Sequence, residues 1–213
     1  MKNYSVQQYQ QSECANWNAF IGQAKNATFL FHRDFMEYHK DQFEDFSLMI
    51  FDNKKLVAVL PANKVGNIVY SHQGLTYGGL VYSEKLKLVQ VIDILKSILV
   101  FLEQNSIEKL QIKMIPAIYH KKPADELDYA LFLAKCQMVR CDSLAVLDLT
   151  KPYKITKTRK ESIRRGRKNE LVIKEEANFR LFWEEILIPN LDKKHAAKPV
   201  HSIAEIEKLH QLD

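Results

Sequence analysis

The residues most able to do chemistry in this chain form a concentrated run of positive charge. Residues 151–168 contain nine Lys and Arg side chains and one acid, Glu161, so the run carries +8 while the whole chain carries +5. The rest of the chain is therefore mildly acidic. A local field of this kind attracts phosphates or acidic partners. We take Arg159, Arg164 and Arg165 as its candidate anion-binding residues.

Three interpretations of this basic run stay open. The run could steer an anionic substrate, such as a nucleotide sugar, a lipid-linked phosphate or an aminoacyl-tRNA. It could also bind nucleic acid through phosphate contacts. The third interpretation is a solvated connector. Single-strand binding sites interleave cations with aromatic rings, yet Tyr153 is the only aromatic residue between Lys151 and Glu170. The sequence therefore favours steering or a solvated connector over nucleic acid.

A glycine pair marks a second candidate site, in the stretch Tyr77-Gly78-Gly79. Glycine permits positive φ and exposes backbone N–H groups, so the backbone here could approach a substrate closely. The alternative is a plain tight turn or β-bulge. We take Tyr77, Gly78 and Gly79 as candidate substrate-binding residues.

Two further polar residues are candidates for substrate binding. Arg33 could hold a phosphate or carboxylate through its planar fork, and the alternative is a surface ion pair with Asp34 or Glu37. His72 precedes the glycine pair and could act as a general base for an incoming amine, while the alternative is a hydrogen-bonded loop histidine. No acid is spaced to orient His72, so the sequence identifies no catalytic base.

The elements that position these residues alternate strands with helices after an opening hairpin, which predicts a mixed α/β or α+β sheet flanked by helices. Strands are expected at 46–51, 56–61, 68–70, 80–82, 110–115, 144–149 and 171–175. Helices are expected at 16–24, 32–43, 85–105, 123–136, 179–194 and 202–212. The expected divisions are a domain over 1–150, a basic linking helix over 151–170, and an incomplete second domain over 171–213 that needs more sheet to form a core.

Composition excludes several classes of protein. The chain is 46% hydrophobic and 27% charged, the usual mix of a folded soluble protein. Its start lacks the apolar core of a signal peptide, and its most apolar run, 89–102, is shorter than the roughly 20 residues of a membrane span. Three cysteines suit a reducing cytoplasm, where we expect free thiols that pack in the interior, and their spacing matches no metal or redox motif.

Several short motifs in a fixed order resemble one family. The motifs are Thr28-Phe29-Leu30-Phe31, Val57-Ala58-Val59-Leu60-Pro61-Ala62, Leu75-Thr76-Tyr77-Gly78-Gly79-Leu80-Val81, Arg159-Lys160-Glu161-Ser162-Ile163-Arg164-Arg165, Leu171-Val172-Ile173 and Pro199-Val200-His201-Ser202. Their order over nearly the whole chain resembles the GNAT superfamily of N-acyltransferases, and in particular the Fem-type branch, whose members carry two GNAT-like domains in one chain.

The resemblance implies a mostly antiparallel GNAT-like sheet followed by the start of a second such domain. It also implies transfer of an acyl group from acetyl-CoA, another acyl-CoA or an aminoacyl donor such as aminoacyl-tRNA. The acceptor would be an amine on a glycan, a nucleotide sugar or a cell-wall precursor. This chain would contribute the acceptor-side domain, with Arg33, His72, Tyr77, Gly78 and Gly79 against the substrate, and it could form a homodimer through its half-domain.

One segment departs from the GNAT pattern. In GNAT folds the pyrophosphate of acyl-CoA is held by backbone N–H groups of a Gly-rich loop that opens a helix. The matching place here, Val81-Tyr82-Ser83-Glu84, has no glycine and one acid. We therefore expect the cofactor loop to lie outside this chain, and the chain alone to be inactive. The alternatives are a non-catalytic GNAT-like module that binds an anionic ligand or partner protein, and an assembly platform.

Overall fold

The fold is α+β, as the alternation of strands and helices predicted. The computed structural model describes residues 2–211, except for the side chain of His39. The chain divides into two compact units, which we call unit 1 (Met1–Cys136 with Ala204–Asp213) and unit 2 (Gln137–Ile203). The domain limits expected from sequence, 1–150, 151–170 and 171–213, stay predictions.

Unit 1 contains two sheets of four strands each within its described residues. The first sheet has the order β1-β3-β4-β7, and the second has the order β2-β5-β6-β8. The strands are β1 (Ser5–Gln8), β2 (Glu44–Asp45), β3 (Leu48–Asp52), β4 (Lys55–Leu60), β5 (Asn63–Val65), β6 (Ile68–Tyr70), β7 (Val81–Tyr82) and β8 (Lys109–Gln111). The described pairings are antiparallel except for β6 with β8.

The helices lie between the strands and after them. Short 3-10 helices at Phe29–Phe31, Glu37–Gln42 and Ala117–Tyr119 connect several of these elements. In unit 1 the α-helices are α1 (Cys14–Gln23), α2 (Arg33–Met36), α3 (Leu88–Gln104) and α4 (Glu126–Leu133). The chain continues with α5 (Lys157–Lys168), α6 (Phe179–Phe182), a π-helix at Trp183–Leu187, α7 (Ile188–His195) and α8 (Ile203–His210).

The central strands of the first sheet, β3 and β4, are buried on both faces. Successive residues of β3 point to opposite sides, as strand geometry requires. Two hydrophobic cores lie on the two faces of β3. Leu48 and Ile50 pack in one core with Ile94 of α3, whereas Met49 packs in the other with Trp17 of α1. This arrangement explains why β3 and β4 are continuously apolar rather than alternating. Their hairpin was predicted correctly, and Asn53 provides the positive φ (54°) of its turn.

The structure corrects several predicted elements. Segments 144–149 and 171–175 have no strand, and their apolar side chains are exposed. Alternation alone does not make a strand, because the backbone also needs an edge with which to pair. The strand expected at 110–115 is shorter, Lys109–Gln111. Strand β1 was missed because its residues are almost all polar and exposed. The helix expected at 32–43 is α2 followed by a 3-10 helix.

Candidate functional site

Two loops meet where the parallel strands β6 and β8 end. Residue pairs 68–109, 69–110 and 70–111 are in register, so the chain leaves both strands at the same edge. The Ser71 N–H donates to the Gln111 carbonyl at 2.9 Å, and the Gly78 N–H donates to the Lys113 carbonyl at 2.8 Å. We call these loops, residues 71–79 and 112–119, the β6–β8 edge. It brings together His72, Tyr77, Gly78 and Gly79, four of the five predicted substrate-binding residues.

Gly78 is required at this edge by a close approach of backbone to backbone. A Cβ at Gly78 would lie 2.0 Å from the Ser71 carbonyl oxygen, closer than any real contact. The following Gly79 has φ of 98°, which side chains rarely adopt. The group that approaches Gly78 is the chain's own Ser71, and approach of a substrate to this pair stays a prediction. The Gly78 N–H is also occupied, so it does not form an open anion-binding loop.

Tyr77 joins this edge to an exposed aromatic ring. Its hydroxyl donates to Thr28 Oγ1 at 3.1 Å. Its ring stacks on Tyr119, with centroids 5.1 Å apart and an interplanar angle of 27°. Tyr77 is buried, whereas Tyr119 is 48% exposed. Tyr119 therefore presents a ring to solvent, a feature that sequence reasoning missed because 42 residues separate the pair.

His72 is packed into the loop. Its φ is 62°, and its backbone N–H donates to the Tyr70 carbonyl at 2.7 Å. Its ring lies beside Phe43 with centroids 5.4 Å apart, and the residue is only 4% exposed. A general base must come within hydrogen-bond reach of the proton that it accepts. A ring this buried offers little surface to an acceptor amine.

Arg33 is a buried structural cation. The residue is 4% exposed, so the expectation of a surface ion pair is wrong about its burial and correct about Glu37. All three guanidinium nitrogens have partners within the chain. The surroundings are Glu37 at 3.3 Å, Ser47 at 3.2 Å, Asp45, and the rings of Tyr9 at 3.7 Å and Trp17 at 5.3 Å from the guanidinium carbon. The Arg33 donors are therefore engaged within the chain and are not offered to a ligand.

A second polar cluster in unit 1 was not predicted. Lys25 Nζ lies 2.5 Å from a carboxylate oxygen of Glu126, and the Tyr82 hydroxyl lies 2.9 Å from the other. Burial, together with the hydrogen bond to Glu126, raises the pKa of Tyr82. Burial acts to raise the pKa of Glu126, but the hydrogen bonds from Lys25 and Tyr82 outweigh it and the pKa is lowered. The partners lie too far apart in sequence to form a recognisable motif.

The basic segment of unit 2 forms helix α5. Thr156 caps it, because its side chain accepts a hydrogen bond from the Arg159 N–H. The predicted Arg159, Arg164 and Arg165 are all exposed. Among the described residues, none of the seven Lys and Arg side chains of α5 has an ion pair within the chain. The helix is therefore a free cationic surface.

The cations of α5 are concentrated on one side. Each helical residue turns by 100°, which places six of the seven cations within an arc of about 160°. Along the axis they extend over about 16 Å, at 1.5 Å per residue. Arg159, one of the three predicted anion-binding residues, lies on the opposite side of the helix with Ser162 and Gly166 and is not a member of this face. This cationic face can contact more than one anionic group at a time. Its members are Lys157, Lys160, Arg164, Arg165, Arg167 and Lys168.

Other classes of site have less support. In the described part of the chain, no group of three His, Cys, Asp or Glu side chains could hold a metal ion. None of the described helices is long and apolar enough to cross a membrane. All three cysteines are free thiols, but Cys136 and Cys141 are exposed, so the expectation that they pack in the interior is wrong.

Comparisons with known proteins leave the family open. No family model matches the chain, and no curated protein matches it. A structural comparison matches the crystal structure of wild-type TTHA1254 from Thermus thermophilus, at 12% identity and a TM-score of 0.37. The match covers 70% of this chain and 99% of that one. A similarity this weak carries no argument about function.

Proposed function

We propose that this chain binds an anionic ligand through the cationic face of α5. The observation that carries the proposal is the set of exposed cations that have no ion pair among the described residues. Clustered cations at helical spacing repel one another, and this cost is reduced when an anion binds. The face extends over about 16 Å, so it suits a ligand with several anionic groups, such as a nucleoside diphosphate, better than a lone carboxylate.

Charge reversal on α5 tests this proposal. Inorganic triphosphate is the probe, and its binding is measured by calorimetry at several salt concentrations. We expect saturable binding that weakens as salt rises, because salt screens exposed charges. The double variant Arg164→Glu with Arg165→Glu should weaken binding at least about tenfold, equivalent to about 1.4 kcal/mol.

The matched control reverses two other exposed lysines of unit 2. Lys193→Glu with Lys194→Glu changes the net charge by the same amount, also near the C-terminal end of an exposed helix. Binding should then stay within about twofold of the parent protein if the face of α5 is the site. Equal weakening by both double variants would show that triphosphate responds only to net charge, and the proposal would fail.

A second proposal concerns unit 1, which we infer to be the acceptor-side domain of an N-acyltransferase. The resemblance in motif order supports it, and one structural observation favours it: four predicted substrate residues meet at the β6–β8 edge. Ligands of open α/β sheets bind beyond the carboxyl ends of parallel strands, and β6 and β8 end there in parallel. Under this proposal an amine attacks the carbonyl carbon of an acyl-CoA thioester or an aminoacyl ester. An amide forms, the C–S or C–O bond breaks, and the CoA thiol or the ester hydroxyl leaves with the proton that the amine gives up. The exposed Tyr119 ring contacts the acceptor.

Thiol release from acetyl-CoA by the full-length protein, in the presence of amine acceptors, tests the second proposal, together with acyl transfer from aminoacyl donors. Tyr119→Ala should raise KM for the acceptor. Tyr129→Ala is the matched control, because Tyr129 is 47% exposed on α4 against 48% for Tyr119. Absence of binding to both acyl-CoA and aminoacyl donors, with every acceptor tried, would overturn this proposal and leave anion binding by α5 intact.

A further inference from the structure

The cationic face of α5 contains one acid. Glu161 is exposed and lies four residues after Lys157 and three residues before Arg164. With a turn of about 100° for each residue, Glu161 lies between Lys168 and Arg165 around the helix axis, inside the arc of the cations. Among the described residues, Glu161 has no ion pair. The face therefore carries one exposed negative group between positive ones.

Glu161 interrupts the central row of this face. Residues three and four apart are neighbours on a helix surface. Along the axis, Glu161 lies about 6 Å from Lys157 and about 4.5 Å from Arg164. Arg164 and Lys168 lie about 6 Å apart along the axis, and no acid lies between them in the sequence. The row consists of Lys157, Glu161, Arg164 and Lys168.

The cations are distributed unevenly on the two sides of Glu161. Four of the six cations of the face lie within residues 164–168, over about 6 Å of the helix axis. The other two, Lys157 and Lys160, precede Glu161. A ligand with two or three phosphates can therefore contact the cations of 164–168 without passing over the Glu161 carboxylate.

An extended polyanion has to pass over Glu161. A nucleic acid strand carries one charge per about 3.4 Å of its axis, so a strand that lies along the face, about 16 Å long, presents about five phosphates. At this spacing one phosphate lies close to Glu161. Two like charges about 4 Å apart in water repel by enough to weaken binding about fivefold.

We propose that Glu161 is a specificity-determining residue that restricts the α5 site to short oligophosphates, such as a nucleoside diphosphate. Specificity can come from repulsion of the wrong ligand as well as from attraction of the right one. Glu161 repels the longer polyanion and leaves the cations of 164–168 available to the shorter one. This inference rests on the anion binding by α5 that is proposed above.

Two probes added to the full chain test the role of Glu161. Inorganic triphosphate represents a short oligophosphate, and a DNA duplex longer than the face represents an extended polyanion. Binding is measured at constant ionic strength, by calorimetry for triphosphate and by fluorescence anisotropy for the duplex. Glu161→Gln should raise the duplex affinity about fivefold. The gain for triphosphate should be at least about threefold smaller, because salt screens the greater distance between the two charges.

The matched control moves the acid without changing the net charge. In Glu161→Gln with Ser162→Glu, the carboxylate turns by about 100° and leaves the arc of the cations. Ser162 is exposed, and both new residues have good helix propensity, so α5 should stay helical. The double variant should keep most of the gain in duplex affinity, because only the position of the acid differs from that in the parent protein.

Two results would overturn the role of Glu161 and leave anion binding by α5 intact. The first is a gain in Glu161→Gln that is no greater for the duplex than for triphosphate. The second is a double variant whose duplex affinity equals that of the parent protein, which would show that the duplex responds to net charge alone. Absence of saturable triphosphate binding by the parent protein would instead overturn the proposed function, and this inference with it.

Discussion

The buried pair of Lys25 and Glu126 gives the sharpest test of the fold. The Lys25 side chain is 6% exposed and that of Glu126 is 22% exposed. Removing one partner of a buried ion pair costs about 3–5 kcal/mol, because the other charge stays buried without compensation. Without Lys25, Glu126 stays partly exposed to solvent and keeps its hydrogen bond with the Tyr82 hydroxyl. We therefore expect Lys25→Met to lower the free energy of unfolding by about 2–3 kcal/mol, which is toward the lower end of that range or below it. Methionine retains the apolar stem of lysine.

Urea unfolding measures this loss. Trp17 is fully buried in unit 1 and reports on that unit if Trp183 of unit 2 is replaced by Phe. With a urea dependence of about 2 kcal/mol per molar, a loss of 2–3 kcal/mol lowers the unfolding midpoint by about 1–1.5 M. The double variant Lys25→Met with Glu126→Gln should recover about half of the loss, since the uncompensated charge is gone.

The pH dependence has a definite sign. The pKa of folded Glu126 lies below the ordinary value of 4.5, so its ion pair stabilises the fold fully above that value. As pH falls through the folded pKa, the carboxylate is protonated and the stabilisation is lost. The difference between the parent protein and Lys25→Met should therefore shrink below about pH 4. A loss under about 0.5 kcal/mol at pH 7, or additive single variants in the double-mutant cycle, would refute the reasoning.

Two further predictions concern residues of unit 1. Gly78→Ala should lower stability by at least about 2 kcal/mol, because its Cβ would lie 2.0 Å from the Ser71 carbonyl oxygen. Gly22→Ala, in α1 with open space around it, should raise stability by about 0.5–1 kcal/mol; equal thermal midpoints for the two variants would contradict the steric argument. Arg33→Lys should cost about 2 kcal/mol in chemical unfolding, because a point charge cannot replace the planar fork between Glu37 and Asp45. An unchanged midpoint would contradict this role for Arg33.

Predictions from sequence succeeded where the signal is local. The long helix α3 follows from apolar residues recurring at three or four positions, and the hairpin of β3 and β4 follows from two apolar runs around a polar turn. These features depend on neighbours within a few residues, so a single sequence carries them.

Predictions failed where a distant partner decides the outcome. Segment 144–149 alternates like a strand but has no strand in the structure. Arg33 has the sequence context of a surface residue, yet Tyr9, Ser47 and Asp45 bury it and satisfy its charge. The Lys25–Glu126 pair joins residues 101 positions apart, and no spacing rule finds such a pair.

The sequence by itself determined the α+β class, the main helices and the concentration of charge in α5. Periodicity and composition act through local backbone geometry and through the net field, and both are properties of nearby residues. Tertiary structure alone decided which polar groups are used within the protein and which are left available. It neutralised Arg33, buried His72 and left the cations of α5 without ion pairs among the described residues. Burial and pairing depend on which segments pack together, so they become visible only in the folded chain.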